Sequence, residues 1–440
     1  MLRTSRFLIP LFVAAVAAAQ TGAAPPPLTL AQAVEQALQN NLQAKLSQER
    51  VLESRAQQGI SRSALLPNVS GTAYQMSVTE NLAAQGLTSM NFAGIPAFVG
   101  PFDRFDARFT LVQSLFNLGS IRRYQAARYG VELADRQRLL ATQQVITEVT
   151  LAYIAVLQAG ESVTAAEANV QLAQRLLDLA RNQRDAGIAT GLDVTRAETR
   201  LASQEVQVEQ AKTFQDTARL NLLRVVGAPL AGQVTPAESM RFEPDAVPEA
   251  DGAIRQALGG RLELTVAAEQ LRIAEVERKA ALGDLAPSVS VFGDYGSSGL
   301  KPNEVNLPTR SIGIRIDVPI FSGGRTRAEI QAAASRVRQA EMQLADLRAA
   351  VEKDVRQALD ELATREKQMR AAQKTLDLAQ RELALAQDRF QNGVADNIEV
   401  TNAQTALEGA RNTVVGSLAQ FNVARLNLHS AMGHAENFTF

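Results

Sequence analysis

The chain has no cysteine and no tryptophan, and only 5% of its residues are aromatic. Without cysteine there are no disulfides, no zinc–thiolate sites, no thiol nucleophile and no lipid carried on an N-terminal cysteine. The hydrophobic share of 46% leans on alanine. Few large side chains leave little apolar volume for a thick core, whereas alanine lets helices approach closely. Long, thin helical packing is therefore favoured. An excess of one charge is also missing: 45 basic and 46 acidic residues give a net charge of −1. No basic stripe marks a nucleic-acid surface, and the interleaved charges describe solvated helix faces.

Catalytic constellations are missing as well. The two histidines, His429 and His434, are five apart and do not share a helix face, and Gly433 ends the helix between them. No metal site is expected there. Glu352 and Asp354 sit in a charge-rich helix that needs no catalytic reading. Gly323-Gly324 lacks the lysine and the spacing of a phosphate loop. We expect no enzyme activity and no cofactor.

Long hydrophobic runs are confined to the N-terminus. Arg3 and Arg6 precede an apolar stretch over 7–19, and Ala17-Ala18-Ala19 offers a small-residue cleavage site before Gln20. Residues 1–19 read as an export signal. The stretch is shorter than the ~20 residues that span a bilayer, and Pro10 interrupts it. No membrane-spanning helix is expected after it.

What the sequence does have is a duplication. Residues 33–71 match 253–291 at an offset of 220, with Ala37-Leu38 on Ala257-Leu258, Glu49 on Glu269 and Pro67 on Pro287. Further on the offset is 206: Gly187 falls on Gly393, Val194 on Val400, Ala218-Arg219-Leu220-Asn221 on Ala424-Arg425-Leu426-Asn427, and Gly227 on Gly433. The first copy thus carries about 14 extra residues, which we place in a loop near 76–103. Such long units are duplicated half-structures, not solenoid repeats. We divide the chain into a first repeat at 20–228, a linker at 229–249 rich in proline, a second repeat at 250–433 and a tail at 434–440.

Within each copy the hydrophobic period changes. Helices are expected at 30–39, at 42–65 and at 262–285, the last two stopped by Pro67 and Pro287. Beyond the prolines the period becomes two. Ile312, Ile314, Ile316, Val318 and Ile320 alternate with Ser311, Gly313, Arg315 and Asp317. Phe105, Ala107, Phe109 and Leu111 alternate with Asp106, Arg108 and Thr110. With partners at 69–76 and 289–295 this gives four strands of about 10 residues. Alternation alone fits a lipid-facing strand or a half-buried soluble one. The export signal and the thin core favour lipid.

A helix of great length follows each strand pair, over 121–185 and 325–391. The latter holds no proline or glycine and is about 100 Å long at ~1.5 Å per residue. Its residues Ile330, Ala333, Val337, Ala340, Leu344, Leu347 and Val351 step by three and four, as in a coiled-coil seam. Glycine turns at Gly187 and Gly393 reverse the chain into returning helices at 192–226 and 398–432. Four strands cannot close a barrel, and open sheet edges are not tolerated in lipid. If the strands enter a membrane, the chain must oligomerise. The alternative is an exported coiled-coil protein that tethers the envelope without conducting.

These features together resemble the TolC-like outer-membrane efflux channels over about 28–433. The resemblance rests on the duplication and on the junctions Leu66-Pro67-Asn68-Val69 and Ala286-Pro287-Ser288-Val289. It rests also on the run Val318-Pro319-Ile320-Phe321-Ser322-Gly323-Gly324 with its copy Gln113-Ser114-Leu115-Phe116-Asn117-Leu118-Gly119, and on Arg389-Phe390-Gln391-Asn392-Gly393 with the return to Gly433. It implies a mainly α fold with a small β part. Long antiparallel coiled-coil hairpins would form an α-barrel, and three chains would give a 12-stranded transmembrane β-barrel. Residues 29–39, 228–259 and the C-terminal tail would form an equatorial belt. Gly119, Gly323 and Gly324 would make the strand-to-helix turns.

The implied function is an outer-membrane exit duct for efflux or type I secretion, extending into the periplasm of a Gram-negative-type cell. The implied partners are two further copies, outer-membrane lipid, a periplasmic adaptor at the Gly187 and Gly393 turns, and an inner-membrane pump of RND or ABC type. The tip would open by an iris-like untwisting of the returning helices. At a three-fold tip each carboxylate becomes a ring of three that can bind cations. Asp193 and Glu399, aligned by the 206 offset, are the candidates; both also read as ordinary first-turn acids favoured by the helix dipole. The family's second acidic position is the neutral Asn402 here. Phe390 and Ala395 occupy the positions of a tyrosine–arginine latch and can make neither bond.

Overall fold

The computed structural model describes residues 27–84, 98–244, 248–392, 394 and 397–440. The export signal expected at 1–19, part of the loop expected near 76–103, Gly393 and Ala395 lie outside them. One element order runs twice. The first pass is α1 (Leu30–Asn40), α2 (Leu42–Ser63), β1 (Asn68–Asn81), β2 (Phe98–Phe116), α3 (Leu118–Asp185) and α4 (Gly191–Val226). The second is α5 (Ala250–Gly260), α6 (Leu262–Gly283), β3 (Ser288–Gly299), β4 (Asn306–Asp317), α7 (Arg325–Gln391) and α8 (Asn397–Ala431). Helix α5 lies at the start of the second repeat, in a stretch read above as part of the belt with no helix assigned; it is the counterpart of α1.

The strands form one antiparallel sheet in the order β1-β2-β3-β4. The pattern of period two located the four strands but not their ends. The strands run 12 to 19 residues, because β1 and β2 stay paired from Asn68↔Val112 out to Asn81↔Phe98. At about 3.4 Å per residue β2 is some 60 Å long, far more than a bilayer needs. The lower end of β4 is shorter than the alternation implied. Pro319 has no N–H to give a ladder, so pairing stops at Asp317 and Ile320 lies outside the strand.

Register places unlike chemistry on the two faces. Phe109 pairs with Tyr295, and Ile312, Ile314 and Ile316 face Gly293, Val291 and Val289. That face is exposed and largely apolar. The opposite face carries a polar network. Arg108 Nε donates to Asp106 at 2.6 Å and its Nη1 reaches Asp294 at 3.3 Å. Ser298 donates to Asp106 at 2.6 Å, and Ser311 to Asp294.

Below the sheet α3 and α4 form one hairpin and α7 and α8 the other, with α6 packed between α3 and α7. The seam expected on α7 is correct: Ala333, Val337 and Val351 are buried and the others half-buried. Helix α3 begins at Leu118, earlier than expected, and runs 68 residues through Gly160 without a break. One 18-residue window of it is apolar enough to cross a membrane, but half of that window is buried. It is a core segment, with Val145, Val149, Tyr153 and Val156 packed on α1, α4 and α8. The 206 offset carries Val145, Val149 and Val156 onto Val351, Val355 and Leu362, the centre of a second cluster with α5 and α8.

The first cluster is tied by a polar knot. Tyr153 is fully buried, and its hydroxyl lies 2.8 Å from the Leu28 carbonyl and against the Glu238 carboxylate, two acceptors for its single proton. Glu238 also accepts from the Leu30 N–H at the start of α1, at 3.1 Å. Burial, then the Glu238 carboxylate beside it, pushes the Tyr153 hydroxyl well above its ordinary range. The tail closes over this knot, with Phe440 stacked 5.7 Å from Tyr153.

Where α3 leaves the sheet it crosses α6 at glycines. A Cβ on Gly283 would lie 2.9 Å from the Gly119 nitrogen, a backbone atom that cannot step aside. Gly119 itself sits in the first turn of α3 at negative φ, with Asn117 as the cap. At this junction of β2 and α3 it provides the close crossing. Gly283→Ala should therefore lower stability by about 1–3 kcal/mol. Gly160→Ala, whose Cβ would meet only a Gln215 side chain at 3.8 Å, should stabilise by up to about 1 kcal/mol. Denaturant unfolding of both variants against the parent checks the contrast.

Candidate functional site

Both hairpins end at the pole opposite the sheet. Helix α3 stops at Asp185, and Gly187 takes φ +75°, a left-handed conformation with nothing within 4 Å of its missing Cβ. The N–H groups of Ile188 and Ala189 then cap the Gln183 carbonyl at 2.8 and 3.1 Å. Helix α4 opens with a capping box. The Asp193 N–H donates to Thr190 Oγ1, and the Asp193 carboxylate accepts from the Thr190 N–H at 2.9 Å and its hydroxyl at 2.6 Å. The threonine bonds, aided by Arg196 at 3.8 Å, hold the Asp193 carboxyl below its usual range.

The second tip is built differently. The Val394 N–H closes the end of α7 on the Arg389 carbonyl at 2.9 Å. Glu399, in the first turn of α8, meets Arg389 Nε at 3.0 Å. Phe390 is 5% exposed and packs with Leu383, Ala386, Val400, Ala403 and Leu407. It is a core residue of the hairpin. Asn402 is exposed. The tips touch each other through Asn397 Nδ2 on the Asp193 carbonyl at 3.1 Å and Gln183 Nε2 on the Gln391 carbonyl at 3.4 Å.

Asp193 and Glu399 are thus brought to one pole, but with different partners. The first-turn reading holds fully for Asp193, whose carboxylate is spent on its own helix cap. Glu399 is paired across the hairpin and stays half open to water. At the opposite end, Gly323 and Gly324 take φ +62° and +84° between β4 and α7 and do make the expected turn.

A tie between the returning helices was not foreseen. Arg200 of α4 meets Glu408 of α8, and the buried Gln204 donates to the same carboxylate at 3.1 Å. These residues are not equivalent under the 206 offset, so no repeat signal linked them. Nor does local spacing reveal a pair 208 residues apart. Among the described residues no group of acidic or histidine side chains could hold a metal.

A sheet with one apolar and one polar face thus runs into two helices about 100 Å long, each paired with a shorter returning helix. The family model described as outer membrane efflux protein matches residues 33–228 and 253–434, and the chain belongs to that family. It is 27% identical over 317 residues to the alkaline protease secretion protein AprF of Pseudomonas aeruginosa, covering 71% of this chain. The chain spans 66% of AprF, just under two thirds of its length. It is 25% identical over 418 residues to the outer membrane efflux protein BepC of Brucella suis biovar 1, covering 94% of this chain and 87% of BepC. The crystal structure of the Campylobacter jejuni CmeC outer membrane channel superposes with a TM-score of 0.79 at 19% identity, covering 92% of this chain and 86% of that one. At that identity the likeness establishes the fold.

The cap on α4 has a pH signature. Because the folded pKa of Asp193 is depressed, its contribution is present above the unfolded value of about 3.9 and is lost as pH falls through the folded pKa. Asp193→Ala should speed amide exchange in the first turn of α4 by about fivefold at pH 6. The ratio to the parent should shrink towards one below pH ~3.9, as read by hydrogen-exchange mass spectrometry.

Proposed function

We propose that the chain is the outer-membrane exit duct of a tripartite efflux or type I secretion system. The observation that carries this reading is the sheet. One face is apolar, the other holds Asp106, Arg108 and Asp294, and the edges β1 and β4 have no strand partner among the described residues. Unpaired edges are too costly in lipid. Three copies joined edge to edge give 12 strands, a number that closes a membrane barrel with the polar network facing the lumen. The hairpins then continue the wall of the duct into the periplasm, and lipid contacts the exposed isoleucines of β4.

The duct itself performs no chemistry, and an inner-membrane pump of RND or ABC type supplies the energy. A periplasmic adaptor engages the tip turns at Gly187 and Gly393. Glu399 is the tip carboxylate that forms a cation-binding ring of three, since Asp193 is committed to its cap. Opening separates the returning helices, and the Arg200–Glu408–Gln204 tie opposes it. The names of AprF and BepC, a protease secretion protein and an efflux protein, support the class of system; the substrate is chosen by the pump.

Single-channel recording in planar bilayers tests the duct. Discrete conductance steps are expected, with divalent cations on the tip side reducing the current. Glu399→Ala should abolish that block, while Asp193→Ala should leave it in place. Membrane-extracted protein that never conducts, even with Glu408→Ala to release the tie, would instead support an envelope tether.

A further inference from the structure

Helices α2 and α6 are repeat equivalents in unequal surroundings. On α6 the residues Leu262, Val266, Glu269, Ile273, Val276 and Ala280 step by four and three, and each is buried or half-buried. This face lies against α3, antiparallel, through the Gly283–Gly119 crossing and an Arg272–Glu132 ion pair of 3.5 Å. Arg272 also stacks 3.7 Å over the Tyr129 ring. The 220 offset carries that seam onto Leu42, Leu46, Glu49, Glu53, Ala56 and Ile60 of α2, and all six are exposed. Leu42 is 70% and Ile60 63% exposed, against 2% for Ala280, the equivalent of Ile60.

The complementary surface is equally bare. The 206 offset places Gln125-Ala126-Ala127 of α3 on Gln331-Ala332-Ala333 of α7. Ala126 is buried, one turn from Arg123 and Tyr129, which meet Asp284 and Arg272, whereas its equivalent Ala332 is exposed, as are Gln339, Met342, Asp346 and Ala349 further along the same stripe. One end of the chain thus presents an uncovered α6-like face and the other an uncovered α3-like face. Each copy can cover the next. Such a contact is heterologous, and it generates a ring if the rotation closes.

The two joints differ in one respect. Within the chain the acid is on the long helix and the arginine on the short one. At the open faces this is inverted: Glu132 becomes Arg338 on α7, Arg272 becomes Leu52, and Glu49 stands where Glu269 approaches the Arg272 guanidinium at 3.5 Å.

We infer that α2 of one copy packs on α7 of the next and that a Glu49–Arg338 pair, reversed in polarity from Arg272–Glu132, fixes which helix meets which. An α6-type face brought to α7 would set Arg272 against Arg338. An α2-type face brought to α3 would set Glu49 against Glu132. Like charges in either wrong pairing disfavour it, so short and long helices alternate from the two copies round the ring. The inference rests on the proposed ring of three.

The chain has no cysteine, so a Glu49→Cys, Arg338→Cys variant has no background in cross-linking. In detergent-extracted full-length protein, a short bismaleimide should give covalent dimer and trimer, and either single cysteine variant monomer alone. Separately, Glu49→Arg or Arg338→Glu should lower the trimer fraction about tenfold by light scattering, and the double reversal should restore it. A trimer that gives no intermolecular product, or that is unchanged by the single reversals, overturns this joint and leaves the ring standing. A parent protein that is monomeric by light scattering overturns the ring and the joint with it.

Discussion

Backbone hydrogen bonding in a medium without water is the constraint from which the rest follows. A sheet that meets lipid on one face cannot end in open edges, and among the described residues the outer two of the four strands lack partners. In the proposed ring closure comes from other copies, and the helices inherit that requirement because each strand pair leads directly into a long helix. A thin wall of alanine-rich seams is enough for such a helix when its neighbours on both sides are helices of the same kind. The composition, poor in aromatics and balanced in charge, suits the proposed wall, wet on two sides.

The duplication gives the wall its economy. Each repeat supplies one sheet hairpin, one helical hairpin and two short helices, so six repeats suffice for the proposed ring of three chains. The copies have nonetheless diverged where their neighbours differ. Tyr153 in the first equatorial cluster corresponds to Leu359 in the second, and only the tyrosine side carries the polar knot with Leu28 and Glu238. The tips have diverged too, one closed by a capping box and the other by an ion pair and a buried phenylalanine.

Much of the fold was legible in the residues because it is periodic. The change from 3.6 to 2 marked the sheet, the run without proline or glycine marked α7, and the α7 seam lies where its three-four spacing put it. Strand ends were not legible, since β1 and β2 continue past the apolar alternation by pairing alone. Helix α5 was missed although the offset that placed Ala37-Leu38 on Ala257-Leu258 implied it. At the tips, Asp193 and Glu399 both fall in the first turn of a returning helix, but their partners were not legible. A cap made with Thr190 is local, whereas the Glu399 partner depends on how the hairpin closes. The Arg200–Glu408 tie joins residues from different repeats at non-equivalent positions, and only three-dimensional packing brings them together.

The knot at Tyr153 joins pieces that lie far apart along the sequence. It gathers Leu28, Glu238 from the stretch between the repeats and, through its ring, Phe440. Local helix formation brings none of these together, and each closes a long loop at a cost in chain entropy. The long helices can therefore form before the knot does, and opening it would release three segments from the first cluster at once.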